Sequence, residues 1–272
     1  MENIKEEMNV NELSVNEQIE QINDAWKDIC KVLFGEEIGP LKEYADYLVK
    51  YVDISLNRKK SALSGKSVIT ASKNVHQNAK FIRNDEISIF EKRIGNKPLD
   101  INKIKDFDSL IECVQEKVFY AGDIVLGNSK NVEKSDRCVN ACYVYWSQDV
   151  YASKYIVYSD SIKVCEYLFG CSAAGETKYG IKNFEAHKTI RCLEVYRTYT
   201  SSDCYFTGNL ECCNNCMFSF NLRNKNRMIG NVQFSKEEYS SLKQKLIEDI
   251  RDSLQAKKFI LSIIDIIREG HE

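Results

Sequence analysis

Nine of the eleven cysteines lie between residues 138 and 216, so thiol chemistry is the first possibility that the sequence raises. Cys213 and Cys216 form a CxxC pair, and Cys204 and Cys212 are near enough in sequence to complete a set of four zinc ligands. A structural zinc ion needs four converging ligands, which usually come from two such pairs or from one pair plus histidines. Only one CxxC pair is present, so a zinc-dependent nucleic-acid-binding module is an alternative interpretation and we predict no metal site.

Two further segments match parts of catalytic motifs. Gly65-Lys66-Ser67 has the ending of a phosphate-binding loop, but Lys60 occupies the position of the required first glycine, so we predict a polar turn before a strand. His187 precedes Cys192 by five residues, but a nucleophile and its base must meet at one surface, and we expect His187 to be solvated. We therefore predict no catalytic residues and no cofactor.

The cysteine-rich segment repeats every twelve residues. Reading in steps of twelve from Tyr145 to Ile229 gives eight apolar residues at eight successive positions. The corresponding columns from Ala141 and Ser147 contain small or turn-forming residues. The repeat continues without insertion over about residues 126–232, and a fixed period of this kind is typical of a repeat architecture.

A period of twelve fits neither a straight α-helix nor a heptad, and the many Tyr, Val, Ile and Thr residues favour strands. We predict a parallel β-solenoid in which each coil has two short strands and two bends, with a rise of ~4.8 Å per coil. The most apolar columns are expected to face inward, with thiols filling space as serine or alanine does. Cys192, Cys204 and Cys216 share a column, where a Cβ separation near ~4.8 Å exceeds the ~3.8 Å of a disulfide. Buried free thiols are therefore the favoured interpretation.

In repeat length and core chemistry, the Cys-, Ser- and Thr-rich coil resembles the flattened solenoid of insect antifreeze proteins. Those proteins carry a ladder of Thr-x-Thr triplets, whereas Thr198-Tyr199-Thr200 is the only such triplet in these coils, so ice binding is not expected. The last third of the chain is also similar to Cys- and Tyr-rich repeat proteins of AT-rich microbial and viral genomes. The matching segments are Cys213-Asn214-Asn215-Cys216, Asn221-Leu222-Arg223-Asn224-Lys225 and Ser235-Lys236-Glu237-Glu238-Tyr239. This resemblance implies a solenoid fold and no particular reaction.

The predicted fold class is α+β, with a solenoid flanked by N-terminal helices and a C-terminal amphipathic capping helix. The regions are N-terminal helices, a mixed α/β cap, the solenoid and the C-terminal helix, at residues 1–56, 57–125, 126–232 and 233–272. Capping boxes of Ser14 with Glu17 and of Ser235 with Glu238 mark two helix starts. Within the mixed cap we expect strands at Ser67–Ala71 and Ile87–Phe90 and a helix near 105–117.

Apolar stripes at helical spacing follow both capping boxes. In the N-terminal stripe the residues are Val15, Ile19, Ile22, Trp26 and Cys30. In the C-terminal stripe they are Tyr239, Leu242, Leu246, Ile250 and Leu254. We expect part of the C-terminal stripe to pack on the final coil and the rest to be available to a partner or a second copy.

Two surface features are candidates for interaction. The repeat aligns four tyrosines, Tyr143, Tyr155, Tyr167 and Tyr179, which can stack on one another or receive a partner. A small basic cluster near the last coil consists of Arg223, Lys225 and Arg227. The net charge of −2, from 38 basic and 40 acidic residues, gives no general attraction to nucleic acid.

We predict a non-enzymatic structural or interaction scaffold, a component of a larger assembly such as a virion or another multi-subunit particle. Its expected contacts are protein partners or further copies, made through the C-terminal helix and a solenoid face. An enzyme with its site between residues 57–125 and the solenoid wall is the second alternative. No apolar run approaches the ~20 residues of a membrane span, and the acidic opening is unlike a secretory signal. A cytoplasmic or virion-associated location is expected.

Overall fold

A parallel β-solenoid of about nine turns forms the centre of the molecule in a computed structural model that describes residues 15–266. Helices α1 (Val15–Phe34) and α2 (Ala45–Val49) precede it, and helix α5 (Lys236–Lys257) follows it. Between α2 and the solenoid, a mixed unit contains Asn57–Lys60 (β1), Ser67–Thr70 (β2), Lys80–Arg83 (β3), Ile87–Phe90 (α3), Phe107–Val114 (α4) and Phe119–Gly122 (β4). The predicted fold class is confirmed.

The solenoid strands β5–β20 are short and parallel, except for the antiparallel closing strand β20. In chain order they span Val125–Leu126, Lys130–Glu133, Asp136–Val139, Cys142–Tyr145, Gln148–Tyr151, Lys154–Val157, Asp160–Lys163, Glu166–Phe169, Ser172–Gly175, Lys178–Phe184, Ile190–Tyr196, Ser202–Glu211, Asn214–Met217, Phe220–Arg223, Asn226–Ile229 and Val232–Gln233. Val144 pairs with Ile156, and Ile156 pairs with Leu168, so the register advances by twelve residues per coil, as the repeat predicts.

Every third residue of the solenoid adopts a left-handed backbone conformation. The φ angles at Tyr143, Trp146, Asp149 and Ala152 are 56°, 45°, 54° and 46°, and the same four positions recur in the following coils. Each coil therefore changes direction four times, where the sequence analysis expected two bends. Residues other than glycine adopt this conformation at a cost, and the hydrogen-bonded stacking of neighbouring coils holds them there.

Val164 provides a test of this backbone strain, because it is β-branched, 48% exposed and has a φ of 56°. Asparagine tolerates the left-handed region better than valine. We expect Val164→Asn to raise the free energy of unfolding by about 0.5–1 kcal/mol in urea denaturation.

Val118 is the matched control, since it is 49% exposed but has a φ of −80°. Val118→Asn should change the free energy of unfolding by less than about 0.5 kcal/mol. Equal effects of the two substitutions would contradict the assignment of strain to the Val164 backbone.

The interior of the coil is filled by every third residue, in alternating larger and smaller sizes. Val144, Val150 and Ile156 are fully buried there, separated by the smaller Ser147 and Ser153. Four inward columns therefore line the interior, two mainly apolar and two of small residues. The two small columns that the repeat predicts, which start at Ala141 and Ser147, both face inward.

The most apolar column, from Tyr145 to Ile229, faces away from the coil interior, so the expectation that it points inward is wrong. Its members Val157, Phe169 and Leu193 are buried because helices cover them. Neighbouring residues of an extended chain point to opposite faces, and Val144, Ile156 and Leu168 already fill the interior. The column therefore forms the solenoid side of a second hydrophobic core, which lies between the solenoid and the helices.

Helix α1 lies along this outward column and does not close an end of the solenoid. Trp26, Ile29 and Leu33 are buried, and the Trp26 ring centroid is 5.2 Å from that of Phe169. Ile22 and Cys30 of the predicted stripe are also buried, whereas Ile19 is 40% exposed. Ser14, the N-cap of the expected Ser14–Glu17 capping box, lies outside the described residues.

Helix α2 approaches the solenoid at Gly170. This glycine has a φ of 68°, and a Cβ atom added there would lie 2.6 Å from the carbonyl oxygen of Leu48. Tyr158 and Lys182 adopt the same conformation one coil before and one coil after, so the close contact, and not the backbone angle, requires glycine here. The contact holds α2 directly against the coil.

Helix α5 begins at the predicted capping box and packs on the last coils and on α1. The Ser235 hydroxyl accepts from the Glu238 amide at 3.3 Å, and the Glu238 carboxylate accepts from the Ser235 amide at 3.1 Å. Tyr239 and Leu254 are buried. Leu246 and Ile250 pack against the same core, and Leu242 stays 38% exposed, so the chain itself uses most of the stripe.

The mixed unit agrees with the sequence analysis in part. Strand β2 (Ser67–Thr70) and helix α4 (Phe107–Val114) lie at the expected places. Ile87–Phe90 was expected to be a strand and is helical. The Asn84–Glu86 turn before it starts a helical run, in which the Glu86 carboxylate accepts from the Arg83 amide. This local capping overrides the strand preference of two isoleucines.

Candidate functional site

The four aligned tyrosines form a stacked ladder beside α1. Successive ring centroids are 5.0, 4.8 and 5.0 Å apart, and all four rings are half-buried against the helix-covered core. The Lys154 ammonium lies 4.6 Å from the centroid of the Tyr155 ring. Burial and the neighbouring Tyr155 raise the pKa of Tyr167 to about 12. The ladder therefore contributes ring stacking along the edge of the helix layer.

The basic residues near the last coil are not brought together. Arg223 is exposed and pairs with Glu211 at 3.0 Å, and Lys225 is also exposed. Arg227 is half-buried and faces a groove beside α5. The three residues therefore do not form one basic surface.

Ion pairs between neighbouring coils run along the side of the solenoid that carries β7, β9, β11 and β13, opposite the helix-covered column. Arg137 pairs with Asp149 at 2.5 Å and Arg197 with Glu185 at 2.7 Å, each across one coil. Lys188 lies 3.8 Å from Glu176 in the same way. Opposite charges thus neutralise one another along this side, which weakens any uniform potential that would attract a highly charged polymer.

All eleven cysteines are free thiols, and the four residues of the alternative zinc set do not converge. Cys204, Cys213 and Cys216 are buried inside the coil, whereas Cys212 is exposed at a corner. Within residues 15–266, no group of three or more His, Cys, Asp or Glu side chains has an arrangement that could hold a metal ion. Burial raises the pKa of Cys138 and of Cys171 to about 12, which keeps both as thiols near neutral pH.

The small inward columns form a hydrogen-bonded ladder that the sequence analysis missed. The Ser159 hydroxyl accepts from the Cys171 amide at 3.0 Å, and the Cys171 sulfur accepts from the Asn183 amide at 3.4 Å. Each group thus satisfies a buried N–H one coil further along. In these columns cysteine replaces serine both in filling space and in accepting hydrogen bonds. The alternation of Ser, Thr and Cys along the columns is the sequence signal that could have indicated this ladder.

Substitutions at Ser159 test this role. Ser159→Ala leaves the buried Cys171 amide without an acceptor, and we expect the free energy of unfolding to fall by about 1–3 kcal/mol. Ser159→Cys should cost less than about 1 kcal/mol, because Cys171 shows that a thiol fits this column.

Urea denaturation of both variants gives these values, with Ser241→Ala on the exposed face of α5 as control. The control should lie within about 0.5 kcal/mol of the unsubstituted protein. The ladder interpretation fails if alanine and cysteine at position 159 cost the same.

The two motif-like segments serve other roles. The His187 side chain is 46% exposed and its Nε2 lies 3.2 Å from a carboxylate oxygen of Glu176, while the Cys192 thiol is buried inside the coil. They form no nucleophile–base pair. Gly65 has a φ of 73° in the turn between β1 and β2, so the predicted polar turn before the strand is confirmed.

A buried charged cluster joins the solenoid to α2 and to the chain after α5. Lys182 and Glu194 occupy the same column one coil apart, and both are fully buried. The Glu194 carboxylate accepts from the Tyr47 hydroxyl at 2.7 Å, the Ser262 hydroxyl at 2.8 Å and the Ile263 amide at 2.9 Å. The Lys182 ammonium donates to the Lys50 carbonyl.

The environment shifts the ionisation of both groups. Burial lowers the pKa of Lys182 to about 8, and burial raises the pKa of Glu194 while Lys182 and the three donors oppose that rise. This cluster was not predicted from the sequence. The one available signal was the occurrence of Lys182 and Glu194 in a column that has aromatic residues at Trp146, Tyr158, Phe206 and Phe218.

Among residues 15–266, no helix has both the length and the apolar character needed to cross a membrane. Comparisons with protein-family models, curated proteins and solved structures found no match to this chain.

Proposed function

We propose that this protein is a non-enzymatic scaffold that binds a protein partner within a larger assembly, such as a virion or another multi-subunit particle. The helix layer and the buried Lys182–Glu194 cluster stiffen one side of the solenoid. A stiff rod of this kind holds a fixed distance between surfaces at its two ends. The cytoplasm or the virion remains the expected location.

The observation that carries the proposal is the exposed apolar surface around α4. Ile101 is 77% exposed, Phe107 73% and Ile111 46%, and α4 has no buried residue. Large apolar side chains that cluster on a surface are typical of a protein–protein contact. Because α5 uses most of its apolar stripe inside the chain, the partner surface is proposed at α4.

The test places a photo-crosslinking amino acid at Phe107 in the full chain expressed in its native source. The control carries the same amino acid at Tyr199, which is 45% exposed on the solenoid. We expect a covalent adduct with one protein partner from position 107 and little from position 199. Ile101→Ser with Phe107→Ser should abolish co-purification of that partner, whereas Tyr199→Ser should preserve it.

Light scattering after size-exclusion chromatography shows whether the adduct is a second copy of this chain. A monomer that gives no adduct at position 107 would contradict the proposal. Adducts at position 199 alone would also contradict it, because they would place the partner on the solenoid.

A further inference from the structure

A groove of about 760 Å³ lies between the end of α1, the coils that carry Arg191 to Arg227, and the first turns of α5. Tyr205 and Tyr239 contribute to its walls. The groove is separate from the α4 surface and from the Lys182–Glu194 cluster. Its polar side chains have no role in the proposed scaffold function.

Positive charge is in excess in this groove. Six cationic side chains and three carboxylates line it, namely Lys31, Arg191, Arg227, Lys236, Lys243 and Arg251, with Glu36, Asp203 and Glu248. Three of the cations have carboxylate partners. Arg191 pairs with Asp203 at 2.6 Å, Arg251 with Glu36 at 3.3 Å, and Lys31 with Glu37 at 2.8 Å.

Arg227, Lys236 and Lys243 have no carboxylate within 4.0 Å among the residues that the structure describes. Lys243 donates to the Asn215 side chain at 3.2 Å and lies 5.5 Å from the centroid of the Tyr205 ring. Burial lowers the pKa of Lys243, and Asp203 only partly opposes this. An anion beside Lys243 would stabilise its charged form.

Two buried donors at the groove lack an acceptor. The Tyr239 side chain is 3% exposed and its hydroxyl has no hydrogen-bond partner, and the same holds for the buried Nε of Arg227. Buried polar atoms are almost always paired, so two unpaired ones beside one groove indicate a missing acceptor. This observation is independent of the charge count.

We propose that the groove binds a phosphate group, with the Lys243 ammonium and the Arg227 guanidinium as donors and Lys236 as an additional positive charge. The Tyr239 hydroxyl, which is buried beside the groove, joins them by a small movement of its side chain. Phosphate presents several acceptor oxygens and two negative charges, which match unpaired guanidinium, ammonium and hydroxyl donors. The groove is larger than a phosphate ion. The phosphate can therefore be free or can belong to a small phosphomonoester.

Isothermal titration calorimetry of the full chain tests the proposal with inorganic phosphate and, separately, a nucleoside monophosphate, at constant ionic strength set with sodium chloride. Arg227→Gln and Lys243→Gln should each weaken binding by about 10-fold or more, because each removes a charge-assisted hydrogen bond. Tyr239→Phe should weaken it about 3-fold or more while keeping the ring. Lys245→Gln, an exposed residue outside the groove on the same helix, should stay within about 2-fold.

Binding of both probes with similar affinity supports a site for free phosphate, and tighter binding of the monophosphate supports a site for a phosphomonoester. The proposal is overturned if neither probe binds, or if Lys245→Gln weakens binding as much as Arg227→Gln. Circular dichroism and thermal unfolding without phosphate establish whether each variant is folded. If Arg227→Gln does not fold, the phosphate affinity of Lys243→Gln tests the proposal in its place. The crosslinking experiment at Phe107 is unaffected by either result.

Discussion

Glu194→Ala is expected to lower the free energy of unfolding by about 3–5 kcal/mol, because it removes a buried charge that accepts three hydrogen bonds and interacts favourably with the buried Lys182 ammonium. The substitution removes the carboxylate that most favours the charged form of the buried Lys182 ammonium. It also leaves the Tyr47 hydroxyl, the Ser262 hydroxyl and the Ile263 amide without their acceptor. These groups come from α2 and from the chain after α5, so both should detach more readily from the solenoid.

Urea denaturation of Glu194→Ala, Lys182→Met and the double variant measures the coupling between the two charges. The double variant should lose at least about 1 kcal/mol less unfolding free energy than the sum of the losses in the two single variants. The reason is that removing both charges leaves no unpaired ion. Glu185→Ala is the control. Its pair with Arg197 is exposed, so its loss should cost less than about 1 kcal/mol. Additive costs at positions 182 and 194 would show that the two charges do not stabilise each other.

Phe169→Ala is expected to lower the free energy of unfolding by about 3–5 kcal/mol, the usual range for deleting a fully buried aromatic side chain. Phe169 belongs to the apolar column that faces away from the coil interior. Its ring contacts Trp26 of α1, with 5.2 Å between ring centroids. The substitution therefore opens a cavity between the solenoid and the helix, and leaves the interior of the coil unchanged.

Thermal or urea unfolding of Phe169→Ala gives the cost, with Tyr199→Ala as the control for loss of a solenoid aromatic that is 45% exposed. The control should cost less than about 1 kcal/mol. A similarly small effect of Phe169→Ala would mean that the column is exposed and that α1 does not cover it. Amide hydrogen exchange should also show faster exchange in α1 of the Phe169→Ala variant than in the control.

Much of the fold could be predicted from local features of the chain. A fixed period is visible because each coil places equivalent residues in equivalent environments, so the coil length follows directly from the twelve-residue spacing. Helix α5 could be predicted with its N-cap, because Ser235 and Glu238 satisfy each other's backbone groups within four residues. The mixed unit was harder to predict. At Ile87–Phe90, a capped turn outweighed strand preference.

The candidate site was less predictable, because its residues meet only through contacts between distant segments. The apolar residues of the column from Tyr145 to Ile229 indicate burial whether the column faces the coil interior or the helices. Apolar spacing does not distinguish a coil interior from a surface that is buried under a helix. Glu194 meets Tyr47 from a segment 147 residues away, and the phosphate groove combines α1, four coils and α5. Repeat spacing and helix capping act over a few residues, so the coil and its capping helix follow from local sequence. Which face is covered and which charges are buried together depend on where the chain returns after many coils, so these features are established only in the folded molecule.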